Sequence, residues 1–259
     1  MNARVGIVVP TLGKRPDYLE KCLRSIRSAG DAHILLVGPS TLNTVALQSD
    51  SLIDSFVLDA GGGLASAINQ GISALPPFVE YVNWLGDDDI LQRGSLATSS
   101  EVLDSKSHIV MTFGSCEYID DQGSVVWINR SGPWAVPLLR FGPDLIPQPG
   151  ALFRRSAFEA VGGLNSEFGW AFDFDLFIRL SKLGKLQYIS QTMAQFRWHP
   201  ESLSVEHRKH SVAEASQVRI SHMPSWIRPI SFIWEYPVRQ ATLIAGKRVT
   251  AKAQSKAKS

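Results

Sequence analysis

Apolar and polar positions follow two periods along the first third of the chain. Val5–Val9 is a short apolar run closed by Pro10, the pattern of a strand covered on both faces. Pro16 and Asp17 suit the first turn of a helix, and Leu19, Cys22, Leu23 and Ile26 then recur at i, i+3, i+4 and i+7 before Gly30. His33–Val37 and Phe56–Leu58 read as second and third strands. Gly61–Gly63 opens a second helix with Leu64, Ala67, Ile68 and Ile72 on its apolar side, stopped at Pro76 and Pro77. Val79–Leu85 is a fourth strand running directly into Asp87, Asp88 and Asp89. This alternation predicts a parallel sheet with crossover helices.

The pattern then changes. His108–Phe113 and Ser124–Ile128 read as strands, and the stretch from Gly132 to Pro149 is rich in Pro and Gly. Ser156–Gly162 and Phe172–Leu183 read as helices, Ala194–Trp198 as a strand, and the chain turns helical from about Ser211. The last dozen residues are Ala, Lys, Ser and Gln, and the expectation after Val249 is disorder.

With 259 residues, 44% of them hydrophobic, the chain can bury one large core or two small ones. No run approaches the roughly 20 apolar residues of a membrane span, and Met1–Pro10 enters a strand with no cleavage-type signal. Cys22 and Cys116 are too few for a disulfide framework and read as small buried hydrophobes, which fits a reducing cytoplasm. Six of the 26 basic residues (Arg239, Lys247, Arg248, Lys252, Lys256, Lys258) fall in an acid-free tail, leaving 20 against 24 acids before it. That distribution does not describe a nucleic-acid surface.

Three adjacent carboxylates at the end of a strand lie where open α/β sheets bind ligands. They repel one another unless a cation is shared, and hard oxygen donors suit Mg²⁺ or Mn²⁺. A solvated acidic turn is the alternative at this point. Gly61–Gly63 lacks both the Lys-Ser/Thr ending of a phosphate loop and a full dinucleotide fingerprint.

Taken in order, Val8-Val-Pro-Thr11, the Leu19–Ile26 helix, Gly63–Ile72, Tyr81–Leu91, Pro149–Phe158, Val161–Leu164, Phe172–Arg179 and Arg197–Ser204 resemble the landmarks of family 2 glycosyltransferases of GT-A fold. The resemblance covers about residues 4–205. It implies a Rossmann-like, mostly parallel central sheet with flanking helices and a smaller mixed half. A catalytic domain over 1–210 would divide into a nucleotide-sugar half (1–91) and an acceptor half (92–210). A helical, aromatic extension over 211–245 and the basic tail over 246–259 would follow.

The implied chemistry is inverting transfer from a UDP- or dTDP-sugar to a glycan or lipid-linked hydroxyl, in bacterial-type cell-envelope or polysaccharide synthesis. Pro10, Thr11, Leu12 and Asn69 would border the nucleotide, and Asp87, Asp88 and Arg197 the diphosphate. Asp88, Asp89 and His199 would hold Mn²⁺ or Mg²⁺, with Ser202 or Ser204 on a loop over the donor. Asp173 would be the base. Its competitor Asp175 lies roughly 200° around the helix and has Arg179 four positions on.

This chain departs from the family pattern at Gly86 and Phe172, where acids are usual, and at Pro39 and Ile68. Those positions keep open a non-catalytic relative that binds a glycan or a partner. A sugar nucleotidyltransferase would want a Gly-rich basic loop after the first strand, and Thr11–Pro16 has one glycine. Trp226, Ile227, Ile230, Phe232, Ile233, Trp234, Tyr236 and Val238 precede the basic tail, a composition suited either to peripheral contact at the inner face of a membrane or to packing on protein. Pro224, Pro229 and Pro237 speak against one long amphipathic helix there.

Overall fold

The computed structural model describes residues 3–198 and 208–256. Its frame is a nine-stranded sheet. Strand β1 (Val5–Pro10) lies parallel to β2 (Ala32–Gly38) and β4 (Tyr81–Trp84), and β3 (Ser55–Leu58) extends the parallel half beyond β2. β8 (Leu152–Arg154) joins β4 antiparallel to a mixed half of β6 (Ile109–Ile119), β7 (Val125–Asn129), β9 (Lys185–Arg197) and β5 (Ile90–Leu91). One sheet therefore runs through both halves, and β5, at residue 91, pairs with β9 of the second.

Side-chain alternation divides the core between the sheet's two faces. Val5, Ile7, Val9, Ile34 and Leu36 pack with Leu19, Cys22, Leu23 and Ile26 of α1 (Pro16–Ala29). Val8, Leu35 and Val37 pack with Ala67, Ile68 and Ile72 of α3 (Leu64–Ala74). Strands covered on both faces must be apolar at every position, which is why β1 and β2 read as unbroken runs. α3 lies so close that a Cβ at Gly71 would stand 2.5 Å from Val8 Cγ1. The face with α3 also receives α7 (Phe172–Leu180), whose Phe174, Leu176, Phe177 and Ile178 are buried.

The expected strands of the first half occur within two residues of their predicted bounds. Helices α2 (Val45–Ser49) and α4 (Ser95–Ser105) were not anticipated, nor were β5, β8 and most of β9. α5 (Ala135–Leu138) is a single turn in the Pro-rich stretch, and α6 (Arg155–Ala160) occupies the expected short helix.

The C-terminal region departs from expectation. α8 (Arg208–His222) starts just before the anticipated extension and buries Val218 in the main core. α9 (Phe232–Lys256) then runs 25 residues with Pro237 inside it. Among the described residues the helix continues past Val249 to Lys256, where disorder was expected: Val249 is buried, and Thr250 Oγ1 accepts from Arg208 Nη2 at 2.7 Å and Trp198 Nε1 at 3.2 Å; residues 257–259 lie outside the described residues. Pro237 sits one turn into α9, where it removes one intrahelical bond without ending the helix. No helix of the described residues is long and apolar enough to cross a membrane.

Candidate active site

A cleft of about 980 Å³ opens at the carboxyl ends of β1 and β4. Pro10, Thr11 and Leu12 leave β1 on one side of it, and Gly86–Asp89 leave β4 on the other. The two strand ends are tied together: Leu85 N–H donates to Val8 O at 2.9 Å, and Thr11 Oγ1 donates to Asp87 Oδ2 at 2.5 Å. The opposite wall brings Trp170, Phe172 and Asp173 from the start of α7, with Asp144 and Gln148 from the Pro-rich segment. Gly61–Gly63, all at positive φ, form the turn into α3, and Gly63 reaches the cleft.

The three aspartates take different environments. Asp88 is bridged by Arg15 Nη1 at 2.9 Å. Asp89 is buried, and its Oδ1 accepts the backbone N–H of Arg197 at 3.0 Å. Burial, then the charge of Asp88, pushes the Asp89 carboxyl well above the usual carboxylate range. A Cβ at Gly86 would stand 3.1 Å from both Asp88 Oδ1 and Asp89 Oδ2, so the two carboxylates fold back over that glycine. A side chain at this position would crowd them.

Among the described residues no three His, Cys, Asp or Glu side chains close on one point as a finished metal shell. The converging oxygens of Asp88 and Asp89 nevertheless fit a hard divalent cation in part. They are two carboxylate donors at the rim of a cleft with room for phosphate oxygens. His199, the third expected ligand, lies outside the described residues, as do Ser202 and Ser204.

Asp173 and Asp175 are separated by the helix as their spacing requires. Asp173 is half-buried at the cleft wall, its Oδ1 accepting Phe174 N–H at 2.8 Å, and burial pushes its carboxyl up to about 6. Asp175 points away, ion-paired with Arg179 at 2.6 Å and within hydrogen-bond distance of His222 Nε2 at 2.8 Å. Burial raises its carboxyl, but the hydrogen bonds from His222 and Arg179 outweigh that and hold it below the usual range.

Two expected nucleotide contacts lie elsewhere. Asn69 does not line the cleft: its Nδ2 donates to Leu164 O at 2.8 Å, and its Oδ1 accepts Leu164 N–H at 2.9 Å, clamping α3 to the 161–164 turn. Arg197 is 3% exposed, with its guanidinium committed to Asp88 O, Asp120 O and Asp121 O and stacked 4.4 Å over Tyr18. In this geometry it braces the aspartate turn from behind, because three backbone carbonyls and a ring occupy the group expected to meet phosphate. Cys22 and Cys116 are both buried, as read, and burial pushes both thiols up.

Three residues went unread in the sequence. Asp144 faces the cleft, its carboxyl raised by burial and then by the charge of Asp173. Asn83, fully buried, donates to Pro149 O at 3.1 Å and accepts from Gln148 Nε2 at 2.9 Å, fixing the wall that carries Asp144. Glu214 of α8 accepts the consecutive N–H groups of Gly169, Trp170 and Ala171 at 3.0, 2.7 and 3.0 Å, holding the turn that leads into α7. A lone acid in a loop and an acid on a remote helix carry no local pattern. The amide Asn83, inside an apolar strand, was the one visible signal.

This sheet, curled around a cleft at its parallel end, matches the GT-A-like fold of known glycosyltransferases. Staphylococcus aureus TarS in complex with UDP-GlcNAc superposes with a TM-score of 0.62 at 11% identity, over 85% of this chain and 66% of that one. A mannosyltransferase from Pyrobaculum calidifontis, in complex with GDP-Man and Mn²⁺, gives 0.62 at 15% identity over 99% of this chain and 80% of that one. In sequence, an uncharacterized glycosyltransferase of Rickettsia conorii is 26% identical over 226 residues, 80% of this chain and 36% of that protein. The chain thus spans roughly a third of the length of that relative. No family model matches the chain.

Proposed function

We propose that this chain is an inverting, nucleotide-sugar-dependent glycosyltransferase of the family 2 type. The observation that carries the reading is the meeting, in one cleft, of the β1 end, the Asp87–Asp89 turn and Asp173. The donor, a UDP- or dTDP-sugar, lies with its nucleotide along Pro10–Leu12 and its diphosphate toward the aspartate turn. Mn²⁺ or Mg²⁺ held by Asp88 and Asp89 would supply charge neutralisation for the departing nucleoside diphosphate.

The protein's own groups do the remaining work. Thr11 and Arg197 fix the turn that presents the carboxylates. Asp173, with its carboxyl at about 6, is ionised at neutral pH yet basic enough to take the acceptor hydroxyl proton. Attack from the Asp173 wall with departure toward the aspartate turn on the facing wall would invert the anomeric centre. The acceptor is a glycan or lipid-linked hydroxyl in cell-envelope or polysaccharide synthesis, and the enzyme works in the cytoplasm.

The test is release of nucleoside diphosphate from a panel of UDP-, dTDP- and GDP-sugars with Mn²⁺ and mixed glycan acceptors. Asp173→Asn should abolish release and leave nucleotide binding intact; a fully active variant would sink the assignment. A second reading, a non-catalytic relative, rests on the Arg15–Asp88 and Thr11–Asp87 contacts, which satisfy two carboxylates without a cation. It predicts no turnover with any donor.

A further inference from the structure

The C-terminal segment carries a surface that the cleft does not use. After Glu214 the chain has one acid, Glu235, against eight bases. Glu235 is buried and held by Arg219 Nε at 2.8 Å and Nη2 at 2.7 Å, with Ser216 donating as well. The single acid is therefore cancelled inside the protein, and the exposed charges that remain, Arg228, Arg239, Lys247 and Arg248 among them, are all positive.

The same segment of chain exposes Trp226 (76% exposed), Phe232 (69%), Ile233 (62%) and Tyr236 (68%). Side chains of this size are normally turned inward, and a group of them within eleven residues marks a contact surface. The Pro-rich segment adds to it: Phe141, also exposed, stands edge-on to Trp234 at a centroid distance of 6.3 Å, and Leu138 is exposed one turn earlier.

We propose that this surface docks the protein on an anionic lipid bilayer. Charge complementarity selects the occupant. A second copy of the chain would bring the same cations face to face, whereas anionic headgroups neutralise them and aromatic rings settle at the headgroup boundary. The segment that supplies Leu138 and Phe141 also carries Asp144 and Gln148 into the cleft, so docking holds the cleft mouth beside the bilayer. Where the transferase reading holds, and only there, it follows that the acceptor hydroxyl is membrane-borne.

Flotation of the full chain with phosphatidylcholine vesicles, with and without about 30% phosphatidylglycerol, tests the proposal. The protein should float with the anionic vesicles, stay behind with neutral ones, and be released by high salt. Trp226→Ser/Phe232→Ser/Ile233→Ser, all at exposed positions, should weaken partition by about tenfold or more at unchanged Tm. Arg239→Gln, Lys247→Gln and Arg248→Gln should each weaken it about fivefold. Absence of flotation with anionic vesicles overturns the proposal. So does equal flotation of the triple variant, or a dimer in light scattering that the triple variant dissolves. Turnover of nucleotide sugar is read separately: binding to vesicles without turnover refutes the transferase reading and leaves the docking intact.

Discussion

Replacing Glu214 with alanine unties the turn that delivers Asp173. The carboxylate accepts three successive backbone N–H groups at 3.0, 2.7 and 3.0 Å, and a hydrogen bond to a charged acceptor is worth about 1.5–3 kcal/mol. The three do not count equally. Gly169 is exposed, so water replaces the lost acceptor there at almost no cost. Trp170 is half-buried and Ala171 is 4% exposed, so their amides lose a partner that solvent supplies poorly. Counting those two at the lower figure gives a loss of about 3 kcal/mol for Glu214→Ala. For a domain of this size that is a fall in Tm of roughly 5–10 °C. Glu214→Gln, which keeps one acceptor oxygen and loses the charge, should lose about 1 kcal/mol. Urea denaturation followed by far-UV circular dichroism measures both. The catalytic consequence separates positioning from bulk stability: below the melting transition, Glu214→Ala should lower kcat with little change in KM for the donor, because only the Asp173 wall has moved. A ΔΔG for Glu214→Ala below about 0.5 kcal/mol would refute the reasoning, since surface changes without buried partners fall in that range.

Other outcomes follow from the same geometry. Because the Asp173 carboxyl sits at about 6, above its ordinary value, it loses its charge as pH falls through that point. The rate should therefore decline on the acid side of a pH–kcat/KM profile near 6, and Asp173→Asn should remove the transition along with the activity. Gly86→Ala places a Cβ 3.1 Å from Asp88 Oδ1 and Asp89 Oδ2; calorimetry should find Mn²⁺-dependent nucleotide binding weakened about tenfold in a protein whose Tm is nearly unchanged. Arg197→Ala removes a buried guanidinium's bonds to Asp88 O, Asp120 O and Asp121 O, of which Asp120 O keeps the Gly123 N–H and exposed Asp121 O keeps the Tyr18 hydroxyl, so the loss in denaturant should be about 1–2 kcal/mol, with Arg197→Lys giving little rescue because one ammonium cannot replace the planar fork.

How much of this was readable in the chain depends on the range of the interaction. β1, α1, β2, α3 and β4 were legible because each buries a periodic set of apolar side chains against the sheet, and periodicity survives in sequence. α4 was not: Ser95, Thr98, Ser99, Ser100 and Ser105 dilute its apolar face, and several of their hydroxyls turn back to carbonyls of the preceding turn. β9 was read only in its last residues because Gln187, Ser190, Gln191 and Thr192 lie at half-exposed or exposed positions. In the cleft, the aspartate turn was visible as a strand-end motif, and Asp173 through the family resemblance. Arg197 has the right chemistry for phosphate, but its partners, the carbonyls of Asp120 and Asp121, lie more than 70 positions away and cannot be inferred from spacing. Asp144 and Glu214 owe their importance wholly to tertiary placement. The helix between Val249 and Lys256 went unread for the same reason: the anchor at Thr250 comes from Trp198 and Arg208, and composition alone does not reveal it.

The most direct measurement is a thermal-shift titration of the full chain with UDP, dTDP and GDP, each with and without Mn²⁺, beside an Asp88→Ala/Asp89→Ala variant. The cleft described here predicts stabilisation by at least one nucleoside diphosphate that depends on the cation and is lost in the variant; at a ligand concentration of about 100 Kd it amounts to about 2.7 kcal/mol. Equal melting temperatures with every nucleotide and Mn²⁺, or a shift that the double variant retains in full, would contradict it.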